Sequence, residues 1–294
     1  MTPNLNQIPE VPQQLCKLPR YRPMAKRIQQ DLDGRAEFGA IKRLVSLDPA
    51  MAVELLVAAN SPIYGFPLKI HTVHESLVLL GWEHAKRILR AALRVAQPAD
   101  DQRDRLIEAA WVHSIAAAHF AAGLAPYFGL AEDRAWALGL LHDIGKLGLL
   151  SASPAKYVDV VALRNRTPAE CLGSEEYKLG MNHAKAGLWL ARVWGLPADF
   201  AEAAGMHHEP VFRVRQQAGL LAGIACRLAD ANGFSVEEYR RTSSREALAC
   251  ASPEMAQQLE PALGAIEQKS RESLLECFQV FRGVAAEDSV EVSG

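Results

Sequence analysis

The sequence lacks an excess of either charge. Thirty-two Lys and Arg stand against thirty-four Asp and Glu, a formal net charge of −2. No basic field is available for phosphate backbones, so a nucleic-acid-binding role finds no support. Cysteine is sparse: five residues (Cys16, Cys171, Cys226, Cys250 and Cys277), scattered and without a CxxC pair. That pattern reads as reduced thiols packed mostly in the core, neither a disulfide framework nor a zinc ribbon. No basic stretch followed by an apolar one opens the chain, so no leader is expected. The most apolar window, His113 to Ala131, is broken by His119 and Pro126 and is too polar to span a bilayer. A cytoplasmic protein without membrane contact is the expectation. Also missing are a GxSxG elbow, a P-loop and a GxGxxG opening a helix, which removes the commonest serine-hydrolase and nucleotide-binding readings.

What the sequence does contain is helix. Ala and Leu dominate, β-branched runs are short, and no alternating stretch with hairpin turns stands out. In "SLDPAMAVELLVAANSP", Asp48 is a helix cap, Pro49 fills the first helical position, and Asn60, Ser61 and Pro62 stop the helix. In "TVHESLVLLG", Thr72 and Glu75 form a capping box and Gly81 ends the segment. Further helices are expected near 104–125, 132–144, 168–180, 183–194, 198–208 and 216–231. The polar segment Gln97–Arg105 is the best internal boundary. The expected fold is all-α in three parts: a helical subdomain over 1–100, a helical bundle over 101–234, and a helical extension over 235–294 that packs on one of them.

The nine histidines are unevenly spread. His71, His74 and His84 sit beside caps or on mixed helix faces and read as surface imidazoles. The second half differs: His113, the pair His142–Asp143, His183, the pair His207–His208, and Asp230 fall near expected helix ends. Imidazoles with carboxylates suit Zn, Mn, Fe or Ni rather than Ca. The alternative is that His and Asp at helix ends simply satisfy backbone groups. Lys146, in "GLLHDIGKLG", reads either as a cation waiting for a phosphate or as a solvated cation favoured by a helix C-terminus. The charged pairs Asp100–Asp101 and Glu175–Glu176 lie in polar segments and read as solvated faces. The five tryptophans fall at apolar helical spacings and read as core.

Several stretches carry a family resemblance. Trp111, His113 and Ser114, then "GLLHDIGKL", "NHAKAGLWLARVWGLP" and "HHEP", resemble the HD superfamily of metal-dependent phosphohydrolases. The first half, "DPAMAVELLVAANSPIYGFPLKIHTVHESLVLLG" preceded by "IPEVPQQLCKLP", resembles the more specific HDOD (HD-related output domain) signature. This resemblance covers roughly Ile8 to Phe212. It implies a bacterial all-α signalling module that works through partner proteins, many members having lost metal ligands.

This chain keeps them. By the resemblance, His113, His142, Asp143 and Asp230 match the set that holds one metal, and His183, His207 and His208 match added histidines that hold a second, with Asp143 bridging. Ala109 stands where a third metal would need Glu. No GYP loop follows the paired histidines, so cyclic di-GMP is not the expected substrate.

The expectation is a signal-transduction module with a retained site for two divalent transition-metal ions (Fe, Mn or Zn), acting through an unidentified signalling partner or a ligand. The alternative is an active phosphohydrolase on a small phosphoester or nucleotide, with Asp143 and Lys146 as catalytic residues. Beyond Lys146, only Lys185 and Arg192 offer cations in these stretches, which is thin for a nucleotide.

Overall fold

The computed structural model describes residues 13–34, 37–95, 100–163, 167–209, 217–236 and 242–288. Four sequence features lie outside these residues: the opening of the N-terminal motif up to Pro12, Gln97–Ala99 of the polar segment, the stretch 210–216 after the paired histidines, and the tail from Ser289. Among the described residues there is no strand.

The N-terminal part comprises α1 (Arg22–Asp33), α2 (Phe38–Val45), α3 (Pro49–Ala59), α4 (Val73–Leu80) and α5 (Trp82–Leu93). Its boundaries follow from capping chemistry. The Asp48 carboxylate accepts the Met51 N–H at 2.8 Å, and Pro49 sits where no N–H is needed. At the other end the Asn60 amide donates to Leu56 O and Ile70 O, both at 2.9 Å, which ties the following loop back to the helix. Thr72 and Glu75 form the capping box of α4, and Gly81 breaks the chain at φ 74°.

The bundle comprises α6 (Asp101–Leu124), α7 (Glu132–Leu141), α8 (Ile144–Ala152), α9 (Pro154–Val161), α10 (Pro168–Leu179), α11 (His183–Val193), α12 (Ala198–Met206) and α13 (Gln217–Ala231). Asp100 is a functional cap, accepting the Gln102 and Arg103 N–H groups, so most of the polar segment read as a boundary is the first turn of α6. After it come α14 (Ser244–Ala247), α15 (Pro253–Leu259) and α16 (Leu263–Asp288); α14 lies on α13, and α16 runs along α6.

Small residues set the helix spacings. A Cβ at Gly139 would meet Ala117 O at 2.6 Å, so α7 packs on the alanine face of α6 at backbone contact. At Gly145 a Cβ would stand 1.9 Å from His183 O, and at Gly223 it would stand 2.6 Å from His207 O. These two notches bring α8 onto α11 and α13 onto the end of α12, and so draw four segments together around Asp143.

The two parts meet through specific contacts. Trp136 Nε1 donates to Ser46 O at 2.9 Å, and Asp199 lies 2.6 Å from Arg134 and 3.4 Å from His71. His71 is therefore a half-buried junction residue rather than a surface imidazole. His84 also has partners, Tyr64 and Arg87, whereas His74 is exposed as expected.

Candidate metal centre

The stretch "GLLHDIGKLG" does not run out into solvent. His142 ends α7, Asp143 begins α8, and the chain turns at that junction inside the bundle. His113 comes from the middle of α6, contrary to the expectation of a helix end; a 24-residue helix carries it past the centre of the bundle. His183 opens α11, His207 and His208 close α12, and Asp230 lies in the last turn of α13. His113, His142, His183 and His207 are each 1% exposed and Asp143 is 3% exposed.

Four imidazoles share one orientation. His113 Nδ1 lies 2.8 Å from Phe234 O, His142 Nδ1 2.7 Å from Gly139 O, His207 Nδ1 3.0 Å from Ala204 O, and His183 Nδ1 2.7 Å from Glu175 Oε2. Carbonyl and carboxylate oxygens only accept, so each Nδ1 donates, and in the neutral ring Nε2 carries the lone pair. Those Nε2 atoms all converge on Asp143: His113 and His142 at 3.4 Å from Oδ2, His183 at 3.5 Å and His207 at 3.3 Å from Oδ1. The Nε2 atoms of His183 and His208 are 3.0 Å apart. Meanwhile both Asp143 oxygens and His207 Nε2 are buried without an aligned hydrogen bond. Lone pairs and a carboxylate gathered in a dry space are costly unless a cation sits among them.

The donor set thus fits metal. It falls into two lobes on either side of Asp143, one with His113 and His142 at Oδ2, the other with His183 and His207 at Oδ1 and His208 grouped with them. The Nδ1 partners are those that fix tautomer and ring plane in metal sites.

The electrostatics agree with this arrangement. Burial pushes His142 and His208 well below the ordinary imidazole range and His207 below it, so all three present neutral nitrogens. For His183 burial is again the largest influence and acts in the same direction, but the Glu175 and Asp143 carboxylates act against it and the ring is raised on balance. Burial disfavours the charge on Asp143, yet Lys146, followed by His142, holds the carboxyl well below its usual value.

Three placements differ from the sequence reading. Glu175 is fully buried; besides the His183 ring it accepts the His183 backbone N–H at 2.8 Å, so it is no solvated face. Only Glu176 behaves as expected, bridging to Lys185 at 2.8 Å near the surface. Lys146 is 2% exposed with its ammonium 3.0 Å from Asp143 Oδ2, which removes the solvated-cation reading. Asp230 is brought to His113 but on the outer side: its Oδ1 lies 3.5 Å from Nδ1 and accepts the Ser235 hydroxyl at 2.9 Å. Conversely, Cys226 on α13 is 1% exposed and faces His113 Nε2 at 3.7 Å. Burial, with Asp230 next, raises its thiol well above the ordinary range.

An all-helical bundle with a buried His–Asp cluster at an interhelix junction defines the class of HD-type proteins. Residues 18–210 match the HDOD domain, and the chain belongs to that family. The fold is also that of a MmoQ response regulator from Methylococcus capsulatus, at 21% identity and TM-score 0.63 over 86% of this chain and 92% of that one. A virulence factor from Campylobacter jejuni is similar at 20% identity and TM-score 0.62, over 88% of this chain and 95% of that one. No curated protein matches the chain. Among the described residues no helix is long and apolar enough to cross a membrane.

Proposed function

We propose that this chain is a signal-transduction module of the HDOD type that carries two divalent transition-metal ions (Fe, Mn or Zn) and acts through a protein partner. The observation that carries this reading is the burial of the centre. Apart from the half-buried His208, none of its donors is more than 3% exposed, which suits ions that hold the helices in place better than ions that meet substrate. His113, His142 and Asp143 would hold one ion, and Asp143, His183, His207 and His208 the other.

A second reading, a phosphohydrolase acting on a small phosphoester, is favoured by Lys146. Its ammonium lies beside the carboxylate shared by both lobes, where it could neutralise a phosphoryl oxygen as a point charge. Two such ions supply Lewis acidity toward phosphate and an acidified water when bound. Asp143 would position them, and the Nδ1 partners would keep the imidazoles oriented.

Metal-loaded wild type, set against Asp143→Ala, decides between the readings in a screen of phosphomonoesters, phosphodiesters and nucleotides. The signalling reading expects no turnover above the Asp143→Ala background. Turnover lost in both Asp143→Ala and Lys146→Met would establish the hydrolase instead.

A further inference from the structure

We propose that Cys226, and not Asp230, supplies the fourth protein donor to the ion held by His113, His142 and Asp143, making that half of the centre a thiolate site. The inference rests on the metal reading above and concerns which atom of α13 completes it.

The geometry is specific. A tetrahedral ion bonded at about 2.0–2.1 Å to imidazole nitrogen and about 2.3 Å to sulfur holds two nitrogens about 3.3 Å apart, and a nitrogen and a sulfur about 3.6 Å apart. His113 Nε2 and His142 Nε2 are 3.3 Å apart, and His113 Nε2 and Cys226 Sγ are 3.7 Å apart. Asp143 Oδ2 is 3.4 Å from both nitrogens, a third donor at the same spacing. The donor atoms of His113, His142 and Cys226 all lie within 4.8 Å of one another. Asp143 Oδ2, held by Lys146 at 3.0 Å, is buried among them and would be the oxygen that receives the ion.

Asp230 sits on the wrong side of the same ring. Cys226 and Asp230 are one helical turn apart on one face of α13, spaced by about 6 Å along its axis. The first therefore meets the Nε2 side of His113 and the second the Nδ1 side. Because Nδ1 already donates to Phe234 O, Asp230 adds an acidic neighbour behind the ring and offers nothing to the ion. On binding, the Cys226 thiol gives its proton to solvent and its sulfur lone pair to the ion. Thiolate among imidazoles favours Zn and Fe over Mn or Mg.

The test is spectroscopic and uses the full chain. Protein stripped of metal is loaded with Co(II), and its near-ultraviolet sulfur-to-cobalt charge-transfer absorption is recorded. The expected result is a band in wild type and in Asp230→Asn that disappears in Cys226→Ser while cobalt in the other lobe is kept. X-ray absorption on the zinc-loaded wild type, which needs no variant, should show a sulfur shell at about 2.3 Å amounting to one sulfur per two zinc ions. Cobalt-loaded wild type without the band, a zinc shell without sulfur, or a band that survives Cys226→Ser overturns the Cys226 assignment alone. A folded chain that takes up no cobalt overturns the metal reading together with it.

Discussion

The Nε2 atoms of His113 and His142 face each other at 3.3 Å, and each ring has already spent its proton on a carbonyl, Phe234 O and Gly139 O. Neither can donate to the other. The pair is a socket for a positive charge, and among the described residues Lys146 brings one beside it, paired with Asp143 Oδ2 at 3.0 Å. The centre therefore has an internal cation that stabilises Asp143 before any ion binds.

Lys146→Met tests this. Without metal the variant leaves Asp143 buried and unpaired, which should cost about 3–5 kcal/mol. Added Zn(II) should recover most of that loss, so metal should raise the Tm of the variant more than that of wild type. Equal metal-induced shifts would show that Lys146 does not neutralise Asp143.

Glu175→Gln should preserve the fold and weaken the lobe of His183, His207 and His208. The carboxylate fixes the His183 ring by accepting from Nδ1 at 2.7 Å, and such outer partners are worth about 10–100-fold in metal affinity. A competitive chelator titration should resolve one weakened ion and one unchanged. Two unchanged affinities would reduce Glu175 to a helix-start acceptor for the His183 N–H.

Packing gives a third prediction. Gly145→Ala drives a methyl to 1.9 Å from His183 O, between two backbones that have nowhere to go, and should unfold the bundle or separate α8 from α11. Gly173→Ala, inside α10 with nothing within 4 Å, should stabilise by about 0.5–1 kcal/mol. Denaturant midpoints measure both.

Two buried groups away from the centre oppose each other in acid. Burial raises Asp48 from 3.8 to about 6, although the Met51 N–H and Arg20 pull the other way. Between those values the native state binds the extra proton, so this contribution is complete below 3.8 and is lost as pH rises through 6. Burial lowers His119 from 6.5 to about 4. Here the unfolded state takes the proton, and stability falls as pH drops from 6.5 toward 4. Each contribution is on the order of 3 kcal/mol, so the two nearly cancel in wild type. Asp48→Asn should lose stability more steeply on acidification, and His119→Gln should gain it. Parallel curves for all three proteins would refute the assignment.

Much of the fold could be read from local signals. Asp48, Thr72 with Glu75, and Gly81 act within a few residues of chain, and each cap stands where its residue type placed it. That the second-half histidines belong together could be read from their positions and the family resemblance, and the structure gathers His113, His142, His183 and His207 at Asp143, with His208 against His183. Glu175 and Cys226 were not legible. Glu175 sits four residues after buried Cys171, on the inward face of α10, but the neighbouring Glu176 made the pair look solvated. Cys226 precedes Asp230 by one turn, and the choice between them depends on which side of the His113 ring each meets. That depends on the approach of α13 to α12, set by Gly223 against His207 O, a tertiary distance that no local pattern encodes.

The most direct measurement is metal content per chain by elemental analysis, on untagged wild type and Asp143→Ala purified without chelator and under low oxygen. The account predicts about two equivalents of Zn, Fe or Mn in wild type and their loss in the variant, since Asp143 lies between both lobes. A metal-free wild type, with Asp143→Ala equally well folded, would contradict it.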